Sequence, residues 1–485
     1  MARNLKQEEY LQQRFVLNPD LALRPDGTRA VLYARLPEES GIGTFHHFLS
    51  PRAALFLSLH NGDMSFGAVL EIWKHLTNQE IEFVRDEALL ILQSLRVLEV
   101  EPLIPVDDVP LSSIPRYNPN DFLIAGVPDL KTTRCARPTD MVHEICYKCA
   151  TSCRYCYSDL GNHRNRLLPL DRIGEIVEEI RHMGVYSAGI SGGDPFCHPE
   201  ILEILRLYHK AGIQTEVPTK CFLSENQLAC IRELSSVSLQ FSLDCLDEAI
   251  NDWLIGREGG TARILESLRK TTKMGLSFAI NSVITPYNYN KMDDLLRYLL
   301  SEYGSNVRRI SLTPYGKSLY RHDDKFCLEP AADSEVRETV NSVLVDFPQA
   351  NINFADEGTP PSTFYEKSKD YEGRSQCSGN RSSFVLLPDG KVTVCEELYY
   401  HPEFIIGDAS DQSIAEIWDG ERALRLAFPS QDNVKSGECK FCFDFERCNT
   451  VKGRCYKFVL KAYGLDKPDW PDPRCPYAPL GQRFY

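Results

Sequence analysis

MVHEICYKCATSCRYCY, residues 141–157, decides how the rest of this chain reads. The strand-like MVHEIC runs directly into a short loop that carries Cys149, Cys153 and Cys156 in a CxxxCxxC arrangement. Three thiolates on one tight loop can hold three irons of a 4Fe-4S cube and leave the fourth iron open to a ligand. Zinc sites usually pair CxxC units and close four ligands, so the spacing argues against zinc. Cys146 offers a competing CxxC from inside the strand, but a buried small hydrophobe is the plainer reading of that position.

Outward from this loop the chain alternates strand and helix. Strand candidates are MVHEIC, YSAGISGG, IQTEVPTK, SVSLQFSLD, SFAINSVITP and VRRISLTPY, separated by amphipathic stretches such as DRIGEIVEEIRHMG, PEILEILRLYHKAG and NKMDDLLRYLLSEYG. Six βα units in a row imply a parallel sheet with right-handed crossovers, either doubly wound or curled into a partial barrel. In both cases the ligand site lies at the carboxyl ends of the strands.

At 485 residues the chain is long enough for several cores. Its 43% hydrophobic and 25% charged residues are ordinary for a soluble protein, and no stretch reads as a membrane span or secretory signal, so a cytoplasmic location is expected. A formal net charge of -14 repels phosphate backbones and no long basic stretch relieves it, which argues against a nucleic-acid partner, as the lack of a membrane span argues against a membrane one. In a reducing compartment 17 cysteines point to metal rather than disulfides, and ten of them fall in two groups, Cys149–Cys156 and Cys377–Cys475.

The stretch from Phe15 to Pro102 opens on the strand-like RFVLNPDLALRPDG and TRAVLYARL and continues in three helical patterns, SPRAALFLSLHNG, FGAVLEIWKHL and EFVRDEALLILQSLRVLEV. EPLIPVDDVPLSSIPRYNPNDF breaks both periodicities and reads as a semi-rigid linker. From Asp333 to Arg374 the pattern suggests one helix plus loops. From Ser375 the chain becomes cysteine-rich with weak periodicity, so something other than a large apolar core must hold it.

CATSCRYCY resembles the signature of the radical S-adenosylmethionine (SAM) superfamily, with Tyr155 as the aromatic residue before the last cysteine. The resemblance implies that the open iron chelates the amino and carboxylate groups of S-adenosyl-L-methionine. It further implies that electron transfer from the cluster breaks a carbon-sulfur bond to give a 5'-deoxyadenosyl radical. The later strand ends fit in order. Gly192 and Gly193 of SGGDP would let backbone approach a ligand, and Asp194 matches an acidic residue near the methionine amino group. Ser242 and Asp244 match positions near the sulfonium or ribose. Thr219 and Lys220, then Asn281, Ser282 and Thr285, then Pro314 and Gly316 match less specifically.

Cys377, Cys395, Cys439, Cys442, Cys448, Cys455 and Cys475, with Gly390 before Cys395 and a phrase ending in Glu416, Ile417 and Trp418, resemble the SPASM extension of that superfamily. One spacing departs from the family, since Cys455 lies seven residues after Cys448 where four is usual. The resemblance implies one auxiliary 4Fe-4S cluster on Cys439, Cys442, Cys448 and Cys475. A second would take three ligands from Cys377, Cys395 and Cys455, with Cys327 a distant candidate for the fourth. A pair of structural zinc ions is the alternative. The N-terminal order of strands and helices resembles the peptide chaperone of pyrroloquinoline quinone biosynthesis, the prototype of leader-peptide recognition domains, which implies a winged-helix-like module with a strand edge open to an extended peptide.

The expected fold is therefore α/β, a partial (β/α)6 barrel with an N-terminal winged-helix-like domain and a C-terminal cysteine-rich iron-sulfur domain. Expected boundaries are 14–104 for peptide recognition, 105–125 for the linker, 126–332 for the barrel, 333–374 for a bridging region and 375–485 for the auxiliary clusters. The expected function is a radical SAM maturase that abstracts a hydrogen atom from a side chain of a ribosomally made precursor peptide with a leader, installing a thioether, C-C or C-O cross-link or similar change. An external electron donor of flavodoxin or ferredoxin type would be its other partner. A sulfatase-maturing, formylglycine-forming enzyme and a non-catalytic iron-sulfur electron carrier are the alternatives.

Overall fold

The computed structural model describes residues 8–34, 46–95, 100–158, 166–316, 318–321, 323–354, 364–374, 377–399, 401–435, 437–451 and 453–479. These form two compact units, Met1–Ala136 and Arg137–Tyr485.

In the first unit, α1 (Glu8–Gln12) leads into β1 (Arg14–Leu17), β2 (Leu21–Asp26), β3 (Arg29–Ala34) and β4 (His46–Leu49). Then come α2 (Pro51–Ser58), β5 (Asn61–Ser65), α3 (Phe66–Thr77), α4 (Ile81–Ser94) and β6 (Leu103–Pro105). Where the sequence shows two strand-like stretches, the described residues form two antiparallel three-stranded sheets, β2-β3-β4 and β5-β1-β6. The second was hidden because β5 is NGDMS, too polar and short to read as a strand, and pairs with β1 far back in the chain. Both following helices start on a serine whose hydroxyl accepts from a first-turn amide, Ser50 from Ala53 N and Ser65 from Ala68 N, which fixes their boundaries locally. Their apolar faces meet in a core around Phe56, Phe66 and Trp73. Phe122, 2% exposed, is buried in the same core, and Tyr117 beside it accepts a hydrogen bond from Leu23 N.

The second unit contains the barrel. Its strands are β7 (Asp140–Cys146), β8 (Ser187–Gly192), β9 (Gln214–Thr219), β10 (Val237–Ser242), β11 (Phe278–Ile284) and β12 (Val307–Pro314). All six lie where the sequence pattern puts them, and they are parallel and neighbours in chain order. A doubly wound sheet reverses its strand order at a switch point, whereas unbroken order with right-handed crossovers puts every helix on one face and curls the sheet. The sheet is thus a partial barrel. The covering helices are α5 (Leu170–His182), α6 (Ile201–Lys210), α7 (Glu225–Glu233), α8 (Glu248–Ile255), α9 (Gly260–Lys273) and α10 (Met292–Tyr303). Ile176 and Ile180, Ile204 and Leu205, and Leu295 and Leu299 from three of them are fully buried against the sheet.

Beyond the sixth strand the described residues hold α11 (Pro330–Asp346), the short β13 (Ile352–Phe354), which adds to the edge of β12, and α12 (Phe364–Gly373). The cysteine-rich region does not stand apart from the barrel. Its β14 (Ser383–Leu386) pairs in parallel with β7, and β15 (Lys391–Thr393) and β16 (Ile405–Asp408) continue antiparallel, so one sheet of ten strands joins both parts. Four short helices complete it: α13 (Ile414–Trp418), α14 (Glu421–Ala427), α15 (Phe445–Val451) and α16 (Tyr456–Tyr463). No helix among the described residues is long and apolar enough to cross a membrane.

Candidate active site and cysteine centres

The loop after β7 is clamped by backbone hydrogen bonds. Ser152 N donates to Ile255 O at 2.9 Å, Arg154 N to Leu254 O at 2.8 Å, Gly193 N to Cys146 O at 2.7 Å and Asp194 N to Lys148 O at 2.7 Å. The Arg257 guanidinium adds a bond to Ala150 O at 2.7 Å. Three glycines make this approach possible. A Cβ on Gly192 (φ +117°), Gly193 or Gly256 (φ +63°) would collide with the carbonyl of Cys146, Lys148 or Ser152 respectively. The glycine pair read as a ligand cradle therefore admits, first of all, the backbone of the cysteine loop.

Cys149 is exposed and Cys153 and Cys156 are half-buried. Although the residue as a whole is exposed, desolvation by the surrounding protein pushes the Cys149 thiol up to about 12, and the charges of Asp194, Cys153 and Cys156 push the same way while Lys220 opposes them. Cys156 is raised too, by burial and by Cys153, again against Lys220. Lys220 would be lowered by its own burial, yet Cys153, Asp244, Cys149 and Cys156 around it raise it. The three thiols thus share one neighbourhood, with the Lys220 ammonium acting on all of them and the Arg321 charge on Cys156 as well, a donor set that gains its charge only when a cation is bound. This fits an iron-sulfur cube with three protein ligands. Cys146 is 2% exposed and directs its thiol at Asp194 O and Lys148 O, so it is not one of the set.

Asp194 is 4% exposed and accepts from the Thr219 hydroxyl at 2.9 and 3.0 Å, from Lys220 N at 2.7 Å and from Phe196 N at 3.1 Å. It ties the end of β8 to the end of β9. Asp244, fully buried, accepts from the Tyr155 hydroxyl and from Val283 N at 2.9 Å. Its backbone is held by Asn288 Nδ2, which donates to Asp244 O at 2.8 Å, and Thr285 donates to Asn288 Oδ1. Ser242 is 9% exposed at the end of β10. Ser282 donates to Leu243 O, Thr313 to Asn281 Oδ1 at 3.4 Å, and Pro314 pairs with Ile284, while Gly316 faces open space.

Two carboxylates escaped the sequence reading. Burial pushes Glu144 up to about 8, with the charge of Glu396 acting the same way and the Tyr147 phenol opposing it. Glu396 is itself raised by burial against a hydrogen bond from Ser191. Glu144 lies on β7 and Glu396 next to Cys395, so the ten-stranded sheet brings them together from 252 residues apart. A carboxylate beside His143 inside the mostly apolar strand MVHEIC was the one available signal.

The seven C-terminal cysteines separate into two groups. Cys395 is pushed up to about 12 by burial, with Cys377 adding to it, and Cys455 is raised by burial with Asp472 and then Cys377. These three line one cavity with Arg381, Asn449 and Lys457. Cys439, pushed up to about 11, feels Cys448 and Cys442 after burial, and Cys475, pushed up to about 12, feels Cys448 and Cys439. The buried Asp472 bridges the groups, accepting from Cys455 N at 3.0 Å through its carboxylate and from Cys475 N at 2.8 Å through its carbonyl. The long spacing from Cys448 to Cys455 is one helical end plus a turn at Gly453 (φ +70°), whose N–H returns to Cys448 O at 2.9 Å. Cys327 packs instead with Tyr155, Tyr315 and Phe326.

A family model for the radical SAM superfamily matches residues 144–299, and one for an iron-sulfur cluster-binding domain, SPASM, matches residues 377–448. The chain is a radical SAM enzyme with a SPASM domain. The two domains bring with them binding of 4Fe-4S clusters and of S-adenosyl-L-methionine. Among curated relatives, the PqqA peptide cyclase of Rhodopseudomonas palustris is 24% identical over 72% of this chain and 89% of its own length. The mycofactocin maturase MftC of Mycolicibacterium smegmatis is 24% identical over 70% of this chain and 82% of its own. The radical SAM and SPASM fold is shared with Streptococcus suis SuiB, solved with S-adenosylmethionine (TM-score 0.64, 19% identity) and with its precursor peptide SuiA (TM-score 0.63, 18% identity). Each alignment covers 95% of this chain and 99% of SuiB.

Proposed function

We propose that this radical SAM enzyme abstracts a hydrogen atom from a side chain of a ribosomally made precursor peptide and thereby installs a cross-link or similar modification. The observation that carries the reading is the breadth of the likeness to a peptide cyclase and a mycofactocin maturase, which takes in more than four fifths of each relative. When bound at Cys149, Cys153 and Cys156, the cluster supplies reductive cleavage of S-adenosylmethionine and so the hydrogen-abstracting species.

This chain's own residues orient and shield. Asp194, held by Thr219 and Lys220, presents a fixed carboxylate to the amino group of S-adenosylmethionine, and Asp244 fixes Tyr155 on the cluster loop. Gly192 and Gly193 keep the loop seated, and Ser242 lines the adjoining strand end. Glu144, raised to about 8, holds a proton at neutral pH inside the barrel. Two auxiliary clusters are assigned to the groups Cys439, Cys442, Cys448, Cys475 and Cys377, Cys395, Cys455, fed by an external donor of flavodoxin or ferredoxin type. The domain limits 14–104, 105–125, 126–332, 333–374 and 375–485 go with this reading, the first as a winged-helix-like leader-binding module.

The test is co-expression with the short open reading frame nearest this gene, followed by mass spectrometry of the peptide. Loss of hydrogen or a new cross-link, absent when Cys149, Cys153 and Cys156 are replaced by Ala, is the expected result. An unmodified peptide in the presence of cleavage-competent enzyme sinks the assignment of that substrate class.

A further inference from the structure

Cys197 and Cys221 belong to none of the cluster groups, yet their sulfurs lie 3.7 Å apart at the ends of β8 and β9. With an Asp194 carboxylate oxygen they form a set of three atoms all within 4.8 Å of one another. Both thiols hang from the same hydrogen-bonded unit. Cys197 N donates to Asp194 O at 2.9 Å, and Cys221 N donates at 2.9 Å to the Thr219 hydroxyl that in turn donates to Asp194. A metal ion is a poor occupant, because the Asp194 carboxylate already accepts from Thr219, Lys220 and Phe196. The pair is also chemically unequal. Cys197 is half-buried and lowered by the hydrogen bond from Cys221, whereas Cys221, 9% exposed, is raised by that same bond and by burial. A partly exposed thiol whose sulfur lies 3.7 Å from that of a buried partner, and which is the more readily ionised of the two, is the arrangement of an attacking and a resolving cysteine.

We propose that Cys197 and Cys221 form a redox-active dithiol that closes to a disulfide by exchange with a low-molecular-weight disulfide. The Cys197 thiolate attacks one sulfur of the small disulfide, forming a mixed disulfide and expelling one small thiolate. Cys221 then loses its proton to that thiolate and attacks the Cys197 sulfur, expelling the second. The second small thiolate takes up, through solvent, the proton that Cys197 released on ionising, so the two protein thiols give up two electrons and two protons and the small disulfide becomes two thiols. Closing 3.7 Å to a bond of about 2.05 Å draws the two turns together around Asp194. On the reading above, in which Asp194 faces the amino group of S-adenosylmethionine, the disulfide weakens that contact and slows cleavage.

The test takes anaerobically purified, cluster-loaded enzyme through a series of reduced to oxidised glutathione ratios, quenches it in acid, alkylates and maps the peptides by mass spectrometry. A Cys197–Cys221 linked peptide that appears with oxidised glutathione and disappears with dithiothreitol is expected. Both cysteines alkylated singly at every ratio overturns the proposal, and so does protection of both without a link but with release of zinc on acidification. Equilibrium dialysis should show affinity for S-adenosylmethionine falling by on the order of tenfold in the oxidised wild type, the size of one lost charge-assisted hydrogen bond. Cys197→Ser in the same buffer should keep its affinity, which separates the disulfide from cluster damage. A disulfide that forms with no change in affinity leaves the dithiol standing and overturns the role given to Asp194.

Discussion

Lys220 shows how one side chain sets the electrostatics of the cysteine loop. It faces all three thiols and Asp244, and its ammonium lies 5.7 Å from the Tyr155 ring centroid. Replacing Cys149, Cys153 and Cys156 together by Ala leaves that charge with no cluster to offset, and liquid chromatography of the products should find no 5'-deoxyadenosine. Persistent 5'-deoxyadenosine would move the reductive centre elsewhere, whereas its formation by the wild type disposes of a mere electron carrier. Glu144 makes a separate point about pH. Its carboxyl is raised to about 8 in the folded chain against about 4.5 unfolded, so between those values the native state binds the extra proton and stability falls as pH rises. Glu144→Gln removes that dependence. From pH 6 to pH 8 the wild type should lose about 2 kcal/mol more than the variant, at about 1.4 kcal/mol per unit, measured by anaerobic denaturant titration of both proteins. Parallel loss in both would place the Glu144 titration outside this range.

At the scale of elements, the hairpin β14–β15 does for the second cysteine group what the glycine clamps do for the first. It turns at Asp389 and Gly390 (φ +96°), pairs Val385 with Thr393 and returns Cys395 to the neighbourhood of Cys377. Cys377→Ala with Cys395→Ala should lower anaerobic iron from roughly twelve to roughly eight per chain, four irons per cube, with the same step in Mössbauer intensity. An unchanged count would show that this pair holds no cluster. The hairpin was readable because LLPDGKVTV places a turn pair between two apolar runs. SIAEIW was equally local: Ser413 and Glu416 form a reciprocal capping box, and Trp418, 1% exposed, packs beside Phe384. The six barrel strands were legible for the same reason. What escaped depends on pairing across long separations: β5 on β1, β13 on β12, and β14 on β7, which alone unites Glu144 with Glu396. The partners of Asp194 are hidden likewise, since Thr219 and Lys220 reach it only once β9 lies beside β8.

At the scale of the whole molecule, the division falls between Ala136 and Arg137, and every cysteine assigned to a cluster lies on the second side. The barrel and the cysteine-rich region share one sheet and one large core, so they are expected to unfold together. The first unit has its own core, and among the described residues β2 and β4 are the outer strands of one of its sheets; strand addition at such an edge is how an extended leader would be held. A tethered core peptide experiences an effective concentration on the order of millimolar. At about 10 μM peptide, a chain beginning at Arg137 should therefore modify its substrate roughly a hundredfold more slowly, while S-adenosylmethionine cleavage without peptide continues. The loss should sit in KM, so raising peptide to the millimolar range should restore most of kcat. An unchanged rate at 10 μM would reduce the first unit to a structural cap. A rate that stays low at millimolar peptide, with cleavage intact, would mean that the first unit shapes the reacting site itself and does more than raise local concentration.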